Sequence, residues 1–259
     1  MRIPFRCLIL VSALLAFRPA PPQEIRVAAA ADLKFALDEL KTQYEKQTGI
    51  KMDVSYGSSG NFFAQIQNGA PFDVFLSADI EYPRKLEAAG LAEPGTLYEY
   101  ALGRIVIWMP ADTRIDLAKL GWKALLDPSI EKIAIGNPEH APYGRAAVAA
   151  LRNAGIYEQV RAKLVYGENI AQAAQFVASG NAQAGILALS LAISPPMRGG
   201  KRWEIPANMH PPIEQAAVIL KSAKDKTGAR AFLTFLKGVE ARKILESYGL
   251  SIPPSAQTQ

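Results

Sequence analysis

Short apolar runs alternate with amphipathic ones along almost the whole chain, and this alternation limits the fold more than any other feature. EIRVAAAA (residues 24–31) alternates and then turns small and apolar, as a buried strand does. LKFALDELKTQYEKQTG follows, with Leu33, Ala36, Leu37, Leu40 and Tyr44 at helical spacing, Asp32 placed to cap the helix and Gly49 to end it. KMDVSYG, SGNFFAQIQNG, FDVFLSA and EYPRKLEAAG continue as strand, helix, strand and helix. GRIVIWMP opens a second series made of WKALLD, KIAIGNP, GRAAVAALRNAG, AKLVYGEN, IAQAAQFVASG and AGILALSLAI. QAAVILKSA reads as the last strand, and TGARAFLTFLKG and VEARKILESYG as the last two helices. The pattern predicts an α/β fold in two units, each a mostly parallel sheet covered by helices.

Only QAAVILKSA offers the two final helices a strand nearby in sequence. The chain is therefore expected to cross from one lobe to the other near Tyr100 and to return near Gln215. Lobe 1 then comprises residues 24–100 and 216–256, and lobe 2 residues 101–215. A cleft between two such lobes is a favoured place for a small-molecule site.

The net charge of +5 would suit an acidic partner, but Lys and Arg are scattered among Asp and Glu with no basic block. Solvated surface charge is the expectation, and no nucleic-acid partner. MRIPFRCLILVSALLAF carries Arg2 and Arg6 before an apolar run that is too short to span a bilayer. It reads as a signal peptide over residues 1–20, with Ala16 and Ala20 as cleavage candidates, so the chain is expected to be exported to the periplasm. Cys7, the one cysteine, falls inside this leader. The exported chain would have no disulfide, no thiolate metal site and no cysteine nucleophile.

Four strand-to-helix junctions could face the cleft: AAAADL, GSSGN, NPEHAPYG and YGENIAQ. Ligands collect at the carboxyl ends of strands in open α/β sheets. Helix N-termini there offer unpaired N–H groups and about half a positive charge each, so several together make an anion site without Lys or Arg. In GSSG, Ser58 and Ser59 could serve as a turn with a helix cap, as a serine nucleophile, or as an oxyanion cradle whose glycines let a ligand approach the backbone. The nucleophile would need a base. His140 and His210 are the two histidines, neither has a recognisable triad partner, and GSSG lacks the G-x-S-x-G pattern. In the third junction Pro142 fixes the loop, Gly144 permits unusual backbone angles, and Tyr143 could donate its hydroxyl or its N–H, or simply be a half-buried aromatic. His140 reads as a hydrogen-bonded loop residue, because no second ligand stands at metal spacing. In the fourth, Glu168 or Asn169 would cap a helix starting near Ile170, which could give only its backbone N–H.

GSSGNFFAQIQNGAPFDVFLSAD, the NPEHAPYG loop, ASGNAQAG and KGVEARKILESYGL together resemble the periplasmic molybdate-binding proteins of bacterial ABC importers, which also bind tungstate. The likeness runs from about Ile25 to Ile252, and NGAPFDVFLSAD is its most specific stretch. It implies a type II periplasmic binding protein fold, two α/β lobes joined by a hinge. It also implies a monomeric solute-binding protein that is no enzyme, uses no cofactor, and hands its ligand to a membrane permease. Molybdenum would be held as its oxyanion, with no protein side chain bonded to the metal. Carried over position by position, Ser59 matches a hydroxyl donor, Tyr143 a donor in the second lobe, and Ile170 a backbone N–H donor. Ala31 and Asp32 fall where the family often has Ser, or Thr followed by Asn, and Ala188 falls near a ligand-binding tyrosine of some members. The readings kept beside this one are a binding protein for another tetrahedral oxyanion, such as sulfate or phosphate, and a serine hydrolase using Ser59.

A ring of fixed N–H and O–H donors favours a fully deprotonated oxyanion, since a protonated one brings a hydrogen that meets no acceptor. On that view GSSG is an oxyanion cradle. An ionised Asp32 facing a dianion would cost several kcal/mol, so its carboxylate is expected to turn away and cap its own helix.

Overall fold

The computed structural model describes residues 23–254, so the expected leader over residues 1–20, with Cys7, and the end of the tail lie outside the described residues. The first four strands are β1 (Glu24–Ala30), β2 (Lys51–Gly57), β3 (Val74–Ser77) and β4 (Tyr98–Gly103). Between them come helices α1 (Lys34–Thr48), α2 (Ser59–Gln67) and α3 (Glu81–Ala88). The second series holds β5 (Ile105–Met109), α4 (Leu117–Leu120), β6 (Ile133–Gly136), α5 (Pro142–Asn153), α6 (Tyr157–Val160), β7 (Leu164–Gly167), α7 (Ile170–Ala178), β8 (Ala184–Ala188), α8 (Leu189–Ala192) and β9 (Lys201–Glu204). The chain then returns through β10 (Ile213–Ile219) to α9 (Lys226–Leu236) and α10 (Val239–Ser247).

Two five-stranded sheets result, in the orders β2-β1-β3-β10-β4 and β7-β6-β8-β5-β9. Strand pairing thus keeps β4 through Gly103, and β10 from Ile213, in the first sheet, leaving Arg104 as the link to β5. Both sheets are mixed where mostly parallel ones were expected. β1 runs parallel to β2 and β3, and β6 parallel to β7 and β8, as strands joined by crossover helices must. The antiparallel pairs all involve β10 or β5. These are strands of the two lobe-to-lobe crossings, where the chain reverses instead of passing through a crossover helix.

Burial follows strand alternation. Val27 and Ala29 face a core shared with Leu37 of α1, Phe232 of α9 and Leu245 of α10. Ala28, Phe75 and Val218 point to the opposite face, among Phe62 of α2 and Leu86 of α3. The second lobe has its own core around Ile107, Ile135, Leu151 and Ile186. That core also takes in Ala30, Ala31 and Ala78 of the first lobe, so the lobes pack as well as touch. Gly49 ends α1 as expected, at φ 73° with its N–H bonded to the Glu45 carbonyl.

Candidate functional site

The four junctions meet. Ala31, Asp32, Ser59, Tyr143 and Ile170 line one small cavity between the lobes, with Ser58 and Ala78 beside them. Among the described residues, no Lys, Arg or His lines it. The N-termini of α2, α5 and α7 open onto it, so what it offers an anion is backbone N–H groups and helix dipoles. Ala188, at the end of β8 and paired with Ile105, is not among the lining residues.

The two serines divide the work. Ser58 is the helix cap, its Oγ accepting from the Asn61 N–H at 3.4 Å, with His140 Nδ1 at 3.0 Å. Ser59, the first residue of α2, accepts the Ala78 N–H on its Oγ at 2.9 Å. A hydroxyl held in this way as an acceptor keeps its own hydrogen to give, and Ser59 lines the cavity. It has no base: His140 lies on Ser58, and His210 Nδ1 lies 2.8 Å from the Pro211 carbonyl. Across the cleft Asn169 caps α7, accepting on its side chain from the N–H groups of Ala171 and Gln172, both at 3.0 Å. The cap does not engage the N–H of Ile170.

Asp32 does not cap its own helix, although the sequence suggested that it would. A short 3-10 turn over Ala31–Leu33 precedes α1, and neither that turn nor α1 has a side-chain cap. Instead Asp32 Oδ2 accepts from the Tyr143 hydroxyl at 2.9 Å and from Gln215 Nε2 at 2.7 Å. Gln215 Nε2 also reaches the Tyr143 hydroxyl oxygen at 2.9 Å, and Gln215 Oε1 accepts from Tyr100 at 2.8 Å. Ser190 Oγ donates to the Asp32 carbonyl at 2.8 Å. A partner with strong hydrogens already fixed in place outcompetes a cap that would leave those hydrogens buried and unmet. Burial pushes the Asp32 carboxyl up to about 6, although the Gln215 and Tyr143 hydrogen bonds favour its ionised form. Burial likewise lifts both tyrosine hydroxyls well above their usual range.

Tyr143 is therefore not half-exposed. Its side chain is buried and its hydroxyl is committed to Asp32, so its remaining donor is the backbone N–H in the first turn of α5. Gly144 is needed for space, not for unusual angles. Its φ is not in the left-handed region, but a Cβ there would sit 2.0 Å from the Gly136 carbonyl oxygen.

Further bonds tie the lobes together around the cavity. The Gly60 N–H donates to the His140 carbonyl at 2.9 Å, Asn61 Nδ2 donates to Glu168, and Arg145 pairs with Asp79. His140 is the hydrogen-bonded loop residue that the sequence suggested. Gln215, Tyr100 and Ser190 escaped the sequence reading. Gln215 alone left a signal there, as a polar residue opening the apolar run AAVIL.

Residues 25–251 match the family described as bacterial extracellular solute-binding protein. The chain is 41% identical to the molybdate-binding protein ModA of Azotobacter vinelandii, over 90% of this chain and 92% of that one. It is 39% identical to ModA of Rhodobacter capsulatus, over 89% of each. A solved structure of the Azotobacter vinelandii periplasmic molybdate-binding protein superposes with a TM-score of 0.83 at 38% identity, covering 88% of this chain and 99% of that one. These relatives are named as binding proteins, and the two-lobed α/β architecture with helix N-termini around a cavity agrees with them. The chain belongs to the bacterial extracellular solute-binding protein family.

Proposed function

We propose that this chain captures molybdate, and tungstate in the same manner, in the cavity between its lobes and delivers it to the membrane permease of an ABC importer. It works in the periplasm as a monomer, and Ala31, Asp32, Ser59, Tyr143 and Ile170 surround the ligand. One observation carries the reading: three helix N-termini and the Ser59 hydroxyl converge on a small cavity that no cationic side chain lines. Such a site holds an oxyanion by neutral donors. The relatives named as molybdate-binding proteins support the choice of molybdate among the tetrahedral oxyanions.

Melting curves with molybdate, tungstate, sulfate and phosphate test this. Molybdate at 1,000 times its Kd should add about 4 kcal/mol to stability, and sulfate and phosphate little. Equal stabilisation by sulfate would defeat the molybdate reading, and no shift with any of the four would defeat the oxyanion reading.

Ser59→Ala separates binding from folding. Losing a hydrogen bond to a charged ligand should weaken molybdate binding by about 1.5–3 kcal/mol, read by titration calorimetry. The same change strips the buried Ala78 N–H of its acceptor. Unfolding in urea without ligand should therefore show a loss of about 1–3 kcal/mol, more than a surface cap would give. Unchanged affinity with that loss would make Ser59 a structural residue only.

A further inference from the structure

Among the described residues Asp32 is the one carboxyl group lining the cavity, and its two oxygens are placed unequally. Oδ2 accepts two hydrogen bonds, from Tyr143 and Gln215, while Oδ1 is buried with no hydrogen-bond partner. An ionised carboxylate would leave Oδ1 an unmet, negatively charged acceptor on a residue that lines the space meant for an anion. No cation relieves it from the packed elements. Tyr143 faces it from α5, Gln215 from β10 and Tyr100 from β4, and Ser190 of α8 bonds its carbonyl. Lys34 is drawn to Asp38 at 3.6 Å, and Arg145 to Asp79. The neutral acid fits these surroundings. Its carbonyl oxygen, Oδ2, keeps both accepted bonds, and its hydroxyl on Oδ1 becomes a donor.

We infer that Asp32 enters the complex as the neutral acid, taking up one proton as the oxyanion binds and offering its Oδ1–H as a further donor. The inference rests on the oxyanion reading above. The proton comes from solvent, bonds to Oδ1, and returns to solvent on release, and no bond within the anion is made or broken. Burial has already brought the empty site's carboxyl up to about 6, so near neutral pH it is mostly ionised when empty. A dianion against it raises that value further. Binding is then strongest below about pH 6, where the acid is already neutral. It weakens as pH rises, by up to about tenfold per pH unit, until the complex itself ionises. Proton uptake linked in this way makes release easier wherever the pH is higher.

Titration calorimetry of the full chain with sodium molybdate, at pH 7.5 in buffers of different ionisation enthalpy, counts the protons directly. Close to one proton taken up per molybdate is expected, with affinity falling nearly tenfold per unit from about pH 6.5 to 8. Asp32→Asn places an amide N–H where the Oδ1–H would be. It should bind with no proton uptake, with affinity flat over the same range, and more tightly than the wild type at pH 8. Wild-type binding without uptake overturns the inference and leaves the molybdate reading intact. A folded Asp32→Asn protein that fails to bind overturns it too, because the carboxylate itself would then be required. No wild-type heat with molybdate at any of these pH values overturns the molybdate reading, and this inference with it.

Discussion

An alanine at Gly144 is expected to destabilise the fold by about 3 kcal/mol or more, read as lost unfolding free energy in urea. The added Cβ would lie 2.0 Å from the Gly136 carbonyl oxygen, 2.7 Å from its carbonyl carbon and 3.0 Å from the carbonyl carbon of Asn137. All three are backbone atoms, so no side chain can rotate out of the way. The strand end cannot drift either, since β6 is paired with β7 through Gly136 and Gly167 and the Asn137 N–H donates to the Gly167 carbonyl at 2.8 Å. Relief must come from sliding α5 outward. That movement takes Tyr143 off Asp32 and the α5 N-terminus away from the cavity, so molybdate stabilisation should be lost as well. Gly49→Ala is the useful contrast. Gly49 has φ 73° with nothing within 4 Å of a built Cβ, so alanine there should cost only about 1 kcal/mol and leave binding alone.

Gln215→Leu should cost a similar amount, about 3–5 kcal/mol, although it alters shape little. Gln215 is fully buried, and its amide joins three partners from different parts of the chain: Asp32, Tyr143 and Tyr100. Leucine leaves the carboxyl and the Tyr143 hydroxyl each short of a bond. It also leaves Tyr100 with only a 3.3 Å contact to the Ser77 carbonyl. Each buried group left unmet costs about 1–3 kcal/mol, and members of one network do not add. Tyr143→Phe combined with Gln215→Leu should therefore cost clearly less than the sum of the two, by denaturant unfolding of all four proteins. Strict additivity would show that the network is not a unit.

What the sequence revealed and what it hid divide along a physical line. β1 and α1 were legible because a buried strand and an amphipathic helix each write their period into neighbouring residues. The gathering of Ala31, Asp32, Ser59, Tyr143 and Ile170 at one cavity follows the same logic, since each stands where a strand gives way to a helix. Direction and partnership were not local. Whether β10 runs with or against β3 depends on how the chain returns from the second lobe. Asp32 was expected to cap its helix because capping is the nearest available bond. It bonds instead to Tyr143 and Gln215, which only the closed fold brings near. Gly144 shows the same limit from another side. A glycine required by a neighbouring carbonyl looks in sequence like one required by its own backbone angles.

The first sheet has a consequence for how the molecule is made. β10 lies between β3 and β4, yet the entire second lobe is synthesised before it. As the chain emerges, β5 to β9 have every partner they need, whereas β3 and β4 wait with open edges for a strand still to come. The lobe begun first is thus finished last. Prematurely ended products that stop short of Ile213 lack the strand that completes the first sheet, and with it Gln215. Such fragments can carry a complete second lobe and still bind nothing.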